Sequence, residues 1–154
     1  TSKIKNQIVY IGRDSYEKGI DILREIESKI NGDVIYCTEL KWKETMNILK
    51  KSSMLVIPSR MESIPQVIKE AFFLKIPIVA TNVGGIPELI ENDVSGILVE
   101  PNNPEKLLEG INGLVENAEL AQKLSKNGHD FVMNNLTWEV LLPKYIEFYK
   151  DLMK

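Results

Sequence analysis

Short segments rich in β-branched residues alternate with longer segments of helical periodicity, and this alternation constrains the fold more than any other feature of the chain. The strand-like segments are brief apolar runs, whereas apolar residues recur every three or four positions in the helical segments. Predicted strands occupy residues 7–11, 33–37, 54–57, 77–80 and 96–99, and predicted helices occupy residues 18–30, 42–49, 65–74, 87–90, 104–115, 118–134 and 140–153.

This alternation predicts an α/β fold in which a doubly wound, mostly parallel sheet has helices on both faces. The helices predicted after residue 101 follow the last strand, so they are expected to be trailing C-terminal helices. The chain has 154 residues, of which 44% are hydrophobic. A chain of this length buries roughly 70% of its unfolded surface. Because the connections are short and no low-complexity segment occurs, residues 1–154 are predicted to form a single domain.

Composition narrows the classes of function. The formal net charge of -3 disfavours a nucleic-acid partner, since such proteins are usually basic. Cys37 is the only cysteine, which excludes an intramolecular disulfide and fits a cytoplasmic location. No apolar run approaches the ~20 residues that span a bilayer. The chain begins at Thr1 without an initiator methionine and soon enters a strand, as a domain of a longer protein does.

The loop after the first predicted strand carries two cations. In open parallel sheets, ligands bind beyond the carboxyl ends of the strands. Arg13 follows Gly12 at such an end, and Lys18 stands near the start of the next helix, where the helix dipole disfavours a cation. An anion bound between the two cations would explain them. A solvated loop in which Arg13 pairs with Asp14 or Glu17 is the alternative.

The loop after the third predicted strand leads into a helix that begins near Pro65, a residue suited to a first helical turn. Free backbone amides over residues 63–67 would form an anion site there. Glu62 precedes the helix, and Glu70 lies inside it, where a carboxylate accepts hydrogen bonds from ribose hydroxyls in dinucleotide-binding folds. A helix-capping Glu62 and a solvated Glu70 are the alternatives.

The loop after the fourth predicted strand contains the pair Gly84 and Gly85. Paired glycines allow backbone to approach a ligand closely, and Pro87 is predicted to begin a short helix with exposed amides. A simple turn is the alternative.

Taken in order, these loops resemble those of the C-terminal domain of retaining GT-B glycosyltransferases, in glycosyltransferase family 4, also called glycosyl transferases group 1. The resemblance is densest from Met54 to about Val115. It rests on Gly12-Arg13, Lys18-Gly19, Pro58-Ser59, the pair Glu62 and Glu70, Pro77-Ile78-Val79-Ala80-Thr81, Gly84-Gly85-Ile86-Pro87-Glu88 and Gly96-Ile97-Leu98-Val99-Glu100-Pro101.

The resemblance implies a Rossmann-like domain that binds a nucleoside-diphosphate sugar, the donor of a retaining transfer. Arg13 and Lys18 would hold the diphosphate together with Gly12, and Glu70 would bind the ribose. Glu62 would contact the transferred sugar or the phosphates, so Arg13, Lys18 and Glu62 are the candidate catalytic residues. The loop with Gly84 and Gly85 would support the site. The residues after Glu62 that would also contact the donor are Ser63, Ile64, Pro65 and Gln66.

No cofactor and no metal are expected, because Asp-x-Asp does not occur and histidine and cysteine are too few for a typical metal site. Arg13 and Lys18 would take the place of a divalent cation. The expected partners are the nucleotide-sugar donor and an N-terminal acceptor-binding domain that is absent from this sequence. Peripheral membrane association would arise only through the full-length protein. The isolated domain is expected to be inactive in transfer.

Departures from the family pattern leave other functions open. Ser63 replaces a frequent glycine, and the stretch 35–53, which helps form the nucleobase pocket, is abbreviated. The alternatives are half of a nucleotide-sugar 2-epimerase, a noncatalytic nucleotide-binding or assembly domain, and a phospho-receiver module. A receiver needs an acidic pair after its first strand and an aspartate after its third, whereas those places carry Gly12-Arg13 and Pro58-Ser59 here. Trp42 and Trp138 are predicted to be packing anchors, and His129 a surface residue.

Overall fold

A computed structural model describes residues 3–153 and contains five strands and six α-helices within that range. The strands are β1 (Gln7–Ile11), β2 (Asp33–Cys37), β3 (Met54–Ile57), β4 (Ile78–Thr81) and β5 (Ile97–Val99). The helices are α1 (Ile20–Ile26), α2 (Trp42–Lys51), α3 (Gln66–Phe73), α4 (Pro104–Glu116), α5 (Ala118–Asn135) and α6 (Trp138–Leu152), and 3-10 turns occupy Tyr16–Lys18, Glu27–Lys29 and Ile86–Glu88.

The five strands form one parallel sheet in the order β2-β1-β3-β4-β5. From β1 the chain first adds β2 on one side and then β3 on the other, so the direction of winding reverses between β1 and β3. Ligands of open parallel sheets bind at such a reversal, outside the carboxyl ends of the strands. The predicted α/β fold is confirmed, with helices on both faces of the sheet.

Alternate residues of the central strands face two separate cores. Ile8 and Tyr10 of β1 lie in the core that α1 and α4 cover, whereas Val9 lies in the core that α2 and α3 cover. In β3, Val56 lies in the core that α1 and α4 cover, and Leu55 lies in the core that α2 and α3 cover. Full burial of an aliphatic side chain stabilises a fold by about 1.5–3 kcal/mol. The sheet is therefore a rigid platform for the loops at its carboxyl edge.

The helix predicted over residues 18–30 is wrong in its bounds. Gly19 has a φ of 65°, which interrupts the helical backbone, so Lys18 belongs to the preceding 3-10 turn and α1 begins at Ile20. The helix ends at Ile26 and gives way to a second 3-10 turn. Helical periodicity of side chains does not reveal a left-handed residue between two helical turns.

The last helix, α6, packs little against the rest of the chain, and none of its residues is buried. Trp138 is 72% exposed, so its prediction as a packing anchor is wrong. Other large apolar side chains of α6 are also exposed, including Tyr145, Phe148 and Leu152. None of the helices within residues 3–153 combines the length and the apolar character that crossing a membrane requires.

Candidate functional site

The loops that follow β1, β3 and β4 meet at the carboxyl edge of the sheet, where the winding reverses. The Arg60 backbone amide donates a hydrogen bond of 2.8 Å to the Glu17 carbonyl oxygen, which joins the first two loops. The Gly85 amide donates one of 2.7 Å to the Ser63 carbonyl oxygen, which joins the last two. The structure therefore brings together the three loops that the sequence singles out.

An ion pair between Lys18 and Glu62 lies at the centre of this arrangement. The Lys18 Nζ atom is 2.7 Å from Glu62 Oε1, and the Ser59 hydroxyl donates a 2.9 Å hydrogen bond to the same oxygen. The Glu62 side chain is only 8% exposed and that of Lys18 is 24% exposed. Glu62 thus orients a lysine at the switch point and does not cap helix α3.

Arg13 contributes a second cation at the end of β1. Its backbone carbonyl accepts a 2.7 Å hydrogen bond from the Tyr10 hydroxyl. Burial, and to a lesser extent the charge of Asp14, raises the pKa of Tyr10 to about 12. Asp14 pairs with Arg24 at 2.8 Å, not with Arg13. The Arg13 side chain is exposed, and within residues 3–153 it forms no ion pair.

Two glycines allow these loops to approach one another closely. A Cβ atom on Gly19, which has a φ of 65°, would overlap the carbonyl oxygen of Pro58 after β3. A Cβ on Gly84, which has a φ of 53°, would overlap the carbonyl oxygen of Glu62. Gly12 is also confined, because a Cβ there would meet the Tyr10 hydroxyl. These glycines fix the loop that carries Glu62 against its two neighbours.

The prediction that the third loop offers helix amides to an anion is wrong. Residues Ile86–Glu88 form only a 3-10 turn. The Ile86 amide bonds the Val83 carbonyl, and the Glu88 amide bonds the Gly85 carbonyl. Since the Gly85 amide is already bonded to Ser63, this loop supports the neighbouring loop and presents few free donors.

The start of α3 retains exposed backbone near the ion pair. Ser63 and Ile64 are exposed, Pro65 is the residue before the first helical turn, and the helix begins at Gln66. The Ile68 amide already bonds Pro65, whereas the Gln66 amide has no intramolecular acceptor within the described chain. The helix dipole adds partial positive charge at this end. Anion binding by the amides of residues 63–67 stays a prediction.

Glu70 is half-buried on α3 and faces the first turn of α2. Its Oε1 accepts a 2.9 Å hydrogen bond from the Trp42 indole Nε1. Trp42 is nevertheless 69% exposed, so its prediction as a packing anchor is wrong. His129 is half-buried, not fully at the surface, and its Nδ1 lies 3.0 Å from the Phe73 carbonyl oxygen.

Arg60 is the residue that sequence reasoning missed. Its guanidinium binds both carboxylate oxygens of Asp21, at 2.7 and 2.8 Å, and lies 3.9 Å above the ring of Tyr16. The hydrogen bond from Arg60 holds the pKa of Asp21 below its usual value. No sequence signal could have identified this role, because Asp21 and Tyr16 lie about forty residues away.

Replacing Arg60 by lysine is expected to lower the free energy of unfolding by about 1–2 kcal/mol, because lysine provides neither the planar fork nor the stacking surface. Thermal denaturation checks this, with a fall in Tm of roughly 2–8 °C for a domain of this size. The matched control is Lys106→Arg, at an exposed ion pair on α4, which should leave Tm unchanged. Equal Tm values for Arg60→Lys and the native chain would contradict the role of Arg60.

One cavity is remote from these loops. It has a volume of about 710 Å³ and lies at the amino edge of the sheet, where Asn6, Ser53 and Pro77 precede strands. A smaller groove of about 390 Å³ runs between α2 and α3 and includes Trp42 and Glu70. The described residues contain no group of three or more histidine, cysteine, aspartate or glutamate side chains placed to hold a metal ion.

This chain is similar in sequence to a known family of proteins. The sequence profile of the family described as Glycosyl transferases group 1 matches residues 23–131. The chain belongs to this family. The matched span includes Glu62, Glu70, Gly84 and Gly85, whereas Arg13 and Lys18 precede it. Family membership excludes the phospho-receiver alternative, which the strand order alone does not, since receivers share the order β2-β1-β3-β4-β5.

The glycosyltransferases that this chain resembles in sequence are longer than the chain itself. An uncharacterized glycosyltransferase of Methanocaldococcus jannaschii is 36% identical over 109 residues, which cover 71% of this chain and 31% of that protein. CapM, a capsular polysaccharide biosynthesis glycosyltransferase of Staphylococcus aureus, is 25% identical over 149 residues, which cover 94% of this chain and 39% of CapM. The chain spans less than half the length of the curated relatives it matches.

Solved structures of glycosyltransferases share the fold of this group 1 chain. Anabaena HepE in complex with UDP has a TM-score of 0.85 at 18% identity, covering 96% of this chain and 49% of HepE. The C-terminal domain of the group 1 protein LpcC from Francisella tularensis has a TM-score of 0.71 at 22% identity, covering 86% of this chain and 87% of that domain. The predicted Rossmann-like C-terminal domain of the GT-B fold is confirmed.

Proposed function

We propose that residues 1–154 are the donor-binding domain of a glycosyltransferase that transfers a sugar from a nucleoside-diphosphate sugar to an acceptor, with retention and without a metal. The observation that carries this proposal is the Lys18–Glu62 ion pair at the switch point of the sheet. Arg13, on the same loop as Lys18, supplies a second cation, and its side chain is exposed. A diphosphate is the ligand that such a site attracts.

Leaving-group stabilisation is the chemistry that this geometry supports. As the bond between the anomeric carbon of the sugar and the diphosphate oxygen breaks, that oxygen takes the bonding electron pair and the diphosphate gains negative charge. Lys18 has three N–H donors and uses one on Glu62, so the others are available to phosphate oxygens. Cations aimed at developing charge each lower a barrier by about 3 kcal/mol.

Glu70 is proposed to bind the ribose. The Trp42 indole occupies Oε1 of its carboxylate, and the lone pairs of Oε2 remain for the vicinal hydroxyls. Gly84 and Gly85 act indirectly in this proposal, since they hold the loop that carries Glu62. Two of the related proteins support the substrate class: HepE was solved with UDP and with UDP-glucose, and CapM belongs to capsular polysaccharide biosynthesis.

An N-terminal acceptor-binding domain is proposed as the partner of this one. The chain spans less than half the length of its relatives, and helix α6 exposes Trp138, Phe148 and Tyr149 to solvent. A second domain that covered this face would remove apolar area from water. Because the acceptor would bind to that domain, transfer by the isolated chain is expected to be absent. A cytoplasmic location remains a prediction.

Calorimetric titration of the chain with UDP, GDP and ADP tests the proposal. At least one nucleoside diphosphate is expected to bind, with the same affinity in the presence and absence of a chelator. The full-length protein should transfer sugar, whereas the isolated chain should not. If no nucleoside diphosphate bound, or if the chelator abolished binding, the proposal would fail. Binding without transfer by the full-length protein would favour the noncatalytic alternative.

A further inference from the structure

Arg60 connects three loops at the carboxyl edge of the sheet. Its Nε atom donates a 2.6 Å hydrogen bond to the Asn102 side chain, in the loop after β5. Its Nη1 atom donates one of 2.7 Å to the Tyr16 carbonyl oxygen, in the loop after β1. With the two bonds to Asp21, four of the five N–H groups of the guanidinium are used within the protein. The Arg60 side chain is 12% exposed, so its contacts are made largely away from water.

The 3-10 turn Tyr16–Lys18 is the segment that these contacts fix. The backbone amides of Arg60 and Met61 donate hydrogen bonds of 2.8 and 3.2 Å to the Glu17 carbonyl oxygen. The Arg60 side chain binds the carbonyl oxygen of the preceding residue, Tyr16, and lies 3.9 Å above the Tyr16 ring. Two consecutive carbonyl groups of the turn are therefore bound by the loop after β3, one of them by the guanidinium alone among side chains of that loop.

Lys18 is the last residue of this turn, so the position of its ammonium depends on the turn. Glu62 holds the ammonium at 2.7 Å, and Glu62 follows Arg60 by two positions. The loop after β3 thus fixes both the backbone and the charged end of Lys18. The four-carbon stem of lysine is flexible, so its ammonium reaches a fixed point only while the backbone is held. Loss of the Arg60 fork would therefore displace Lys18 without removing it.

We propose that Arg60 is a positioning residue for the donor diphosphate. It holds the turn Tyr16–Lys18 so that the Lys18 ammonium faces the phosphates, and it acts through Lys18 rather than by binding the phosphates itself. This inference rests on the proposed function, because it requires Lys18 to bind the diphosphate. Residues that act on a site without touching its ligand change affinity by up to on the order of 10-fold.

Two substitutions of Arg60 separate its geometry from its charge. Arg60→Lys keeps the positive charge but loses the planar fork and the stacking surface, and Arg60→Gln loses the charge as well. Both are expected to weaken the binding of nucleoside diphosphates and of pyrophosphate on the order of 10-fold, measured by calorimetry. Ile111→Val is the matched control, because it lowers stability by a similar amount in the core under α4. With titrations well below the Tm of each variant, Ile111→Val should bind both ligands like the native chain.

A double-mutant cycle with Lys18 gives a result that a purely structural role of Arg60 would not produce. If Arg60 acts through Lys18, adding Arg60→Lys to the Lys18→Met variant should weaken nucleoside-diphosphate binding by no more than about 2-fold, the usual error of such a cycle. Independent effects would instead multiply. A nucleoside diphosphate is the ligand for this cycle, because its base and ribose keep the affinity of the double variant measurable.

The outcomes distinguish this inference from the proposed function. If the native chain bound no nucleoside diphosphate, the proposed function itself would fail. If it bound one and Arg60→Lys bound it equally well, the positioning role would be overturned while the proposed function stood. Losses at Arg60 and Lys18 that multiplied would also overturn it, and so would a loss in Arg60→Gln that Arg60→Lys did not share, since Arg60 would then act by its own charge.

Discussion

Replacing Lys18 by methionine is expected to weaken nucleoside-diphosphate binding on the order of 100-fold, because truncating one member of a largely desolvated charge pair costs about 2–5 kcal/mol. The reason is twofold. The phosphates lose a donor, and Glu62, whose side chain is 8% exposed, is left as an unpaired carboxylate where the diphosphate must bind. Calorimetric titration with the tightest-binding diphosphate measures the change, and methionine preserves most of the packing of the lysine stem.

The double variant Lys18→Met with Glu62→Gln separates binding from stability. Lys18→Met alone should lower the free energy of unfolding by about 1–3 kcal/mol, which is less than for a fully buried pair because Lys18 is 24% exposed. Neutralising Glu62 should restore most of that stability but not the nucleotide affinity. If both variants bound the diphosphate as tightly as the native chain, Lys18 would have no role in the donor site.

The main features of the fold follow from the sequence because the strands and most of the helices bury apolar side chains in regular patterns. The β-branched runs around Val9, Val56 and Val79 are continuous apolar segments, as expected of parallel strands covered on both sides. Helical periodicity identifies α4 and α5 to within a residue. The error at Lys18–Gly19 has a physical cause: glycine adopts a left-handed φ without steric cost, and the close approach of Pro58, which leaves no room for a Cβ, involves a residue distant in sequence.

The candidate site could be predicted only in part. Because the loops that follow parallel strands lie at the same edge of the sheet, the sequence predicts that Lys18 and Glu62 are near each other. The structure places their charged atoms in contact. The bonds of Arg60 to Asp21 and of Trp42 to Glu70 join separate elements, so no local pattern contains them. Their geometry depends on how helices α1, α2 and α3 pack on the sheet.

Gly84→Ala is expected to destabilise the chain by about 2–4 kcal/mol, although Gly84 is exposed to solvent. An alanine at a φ of 53° is strained, and its Cβ would overlap the carbonyl oxygen of Glu62. The loop after β3 must therefore move, and Glu62 moves with it. Thermal denaturation should show a fall in Tm of roughly 5–15 °C for a domain of this size.

Gly113→Ala is the matched control, because it is the same substitution at another exposed glycine of the same chain. Gly113 lies inside α4, and a Cβ there meets no atom within 4 Å. Alanine is a better helix former than glycine by about 0.8–1.0 kcal/mol, so this variant should be more stable than the native chain. The two substitutions should therefore shift Tm in opposite directions.

Only Gly84→Ala should also weaken nucleoside-diphosphate binding, since Gly84 supports the carboxylate that orients Lys18. Equal shifts for both variants would mean that the contact between Gly84 and Glu62 does not constrain the site.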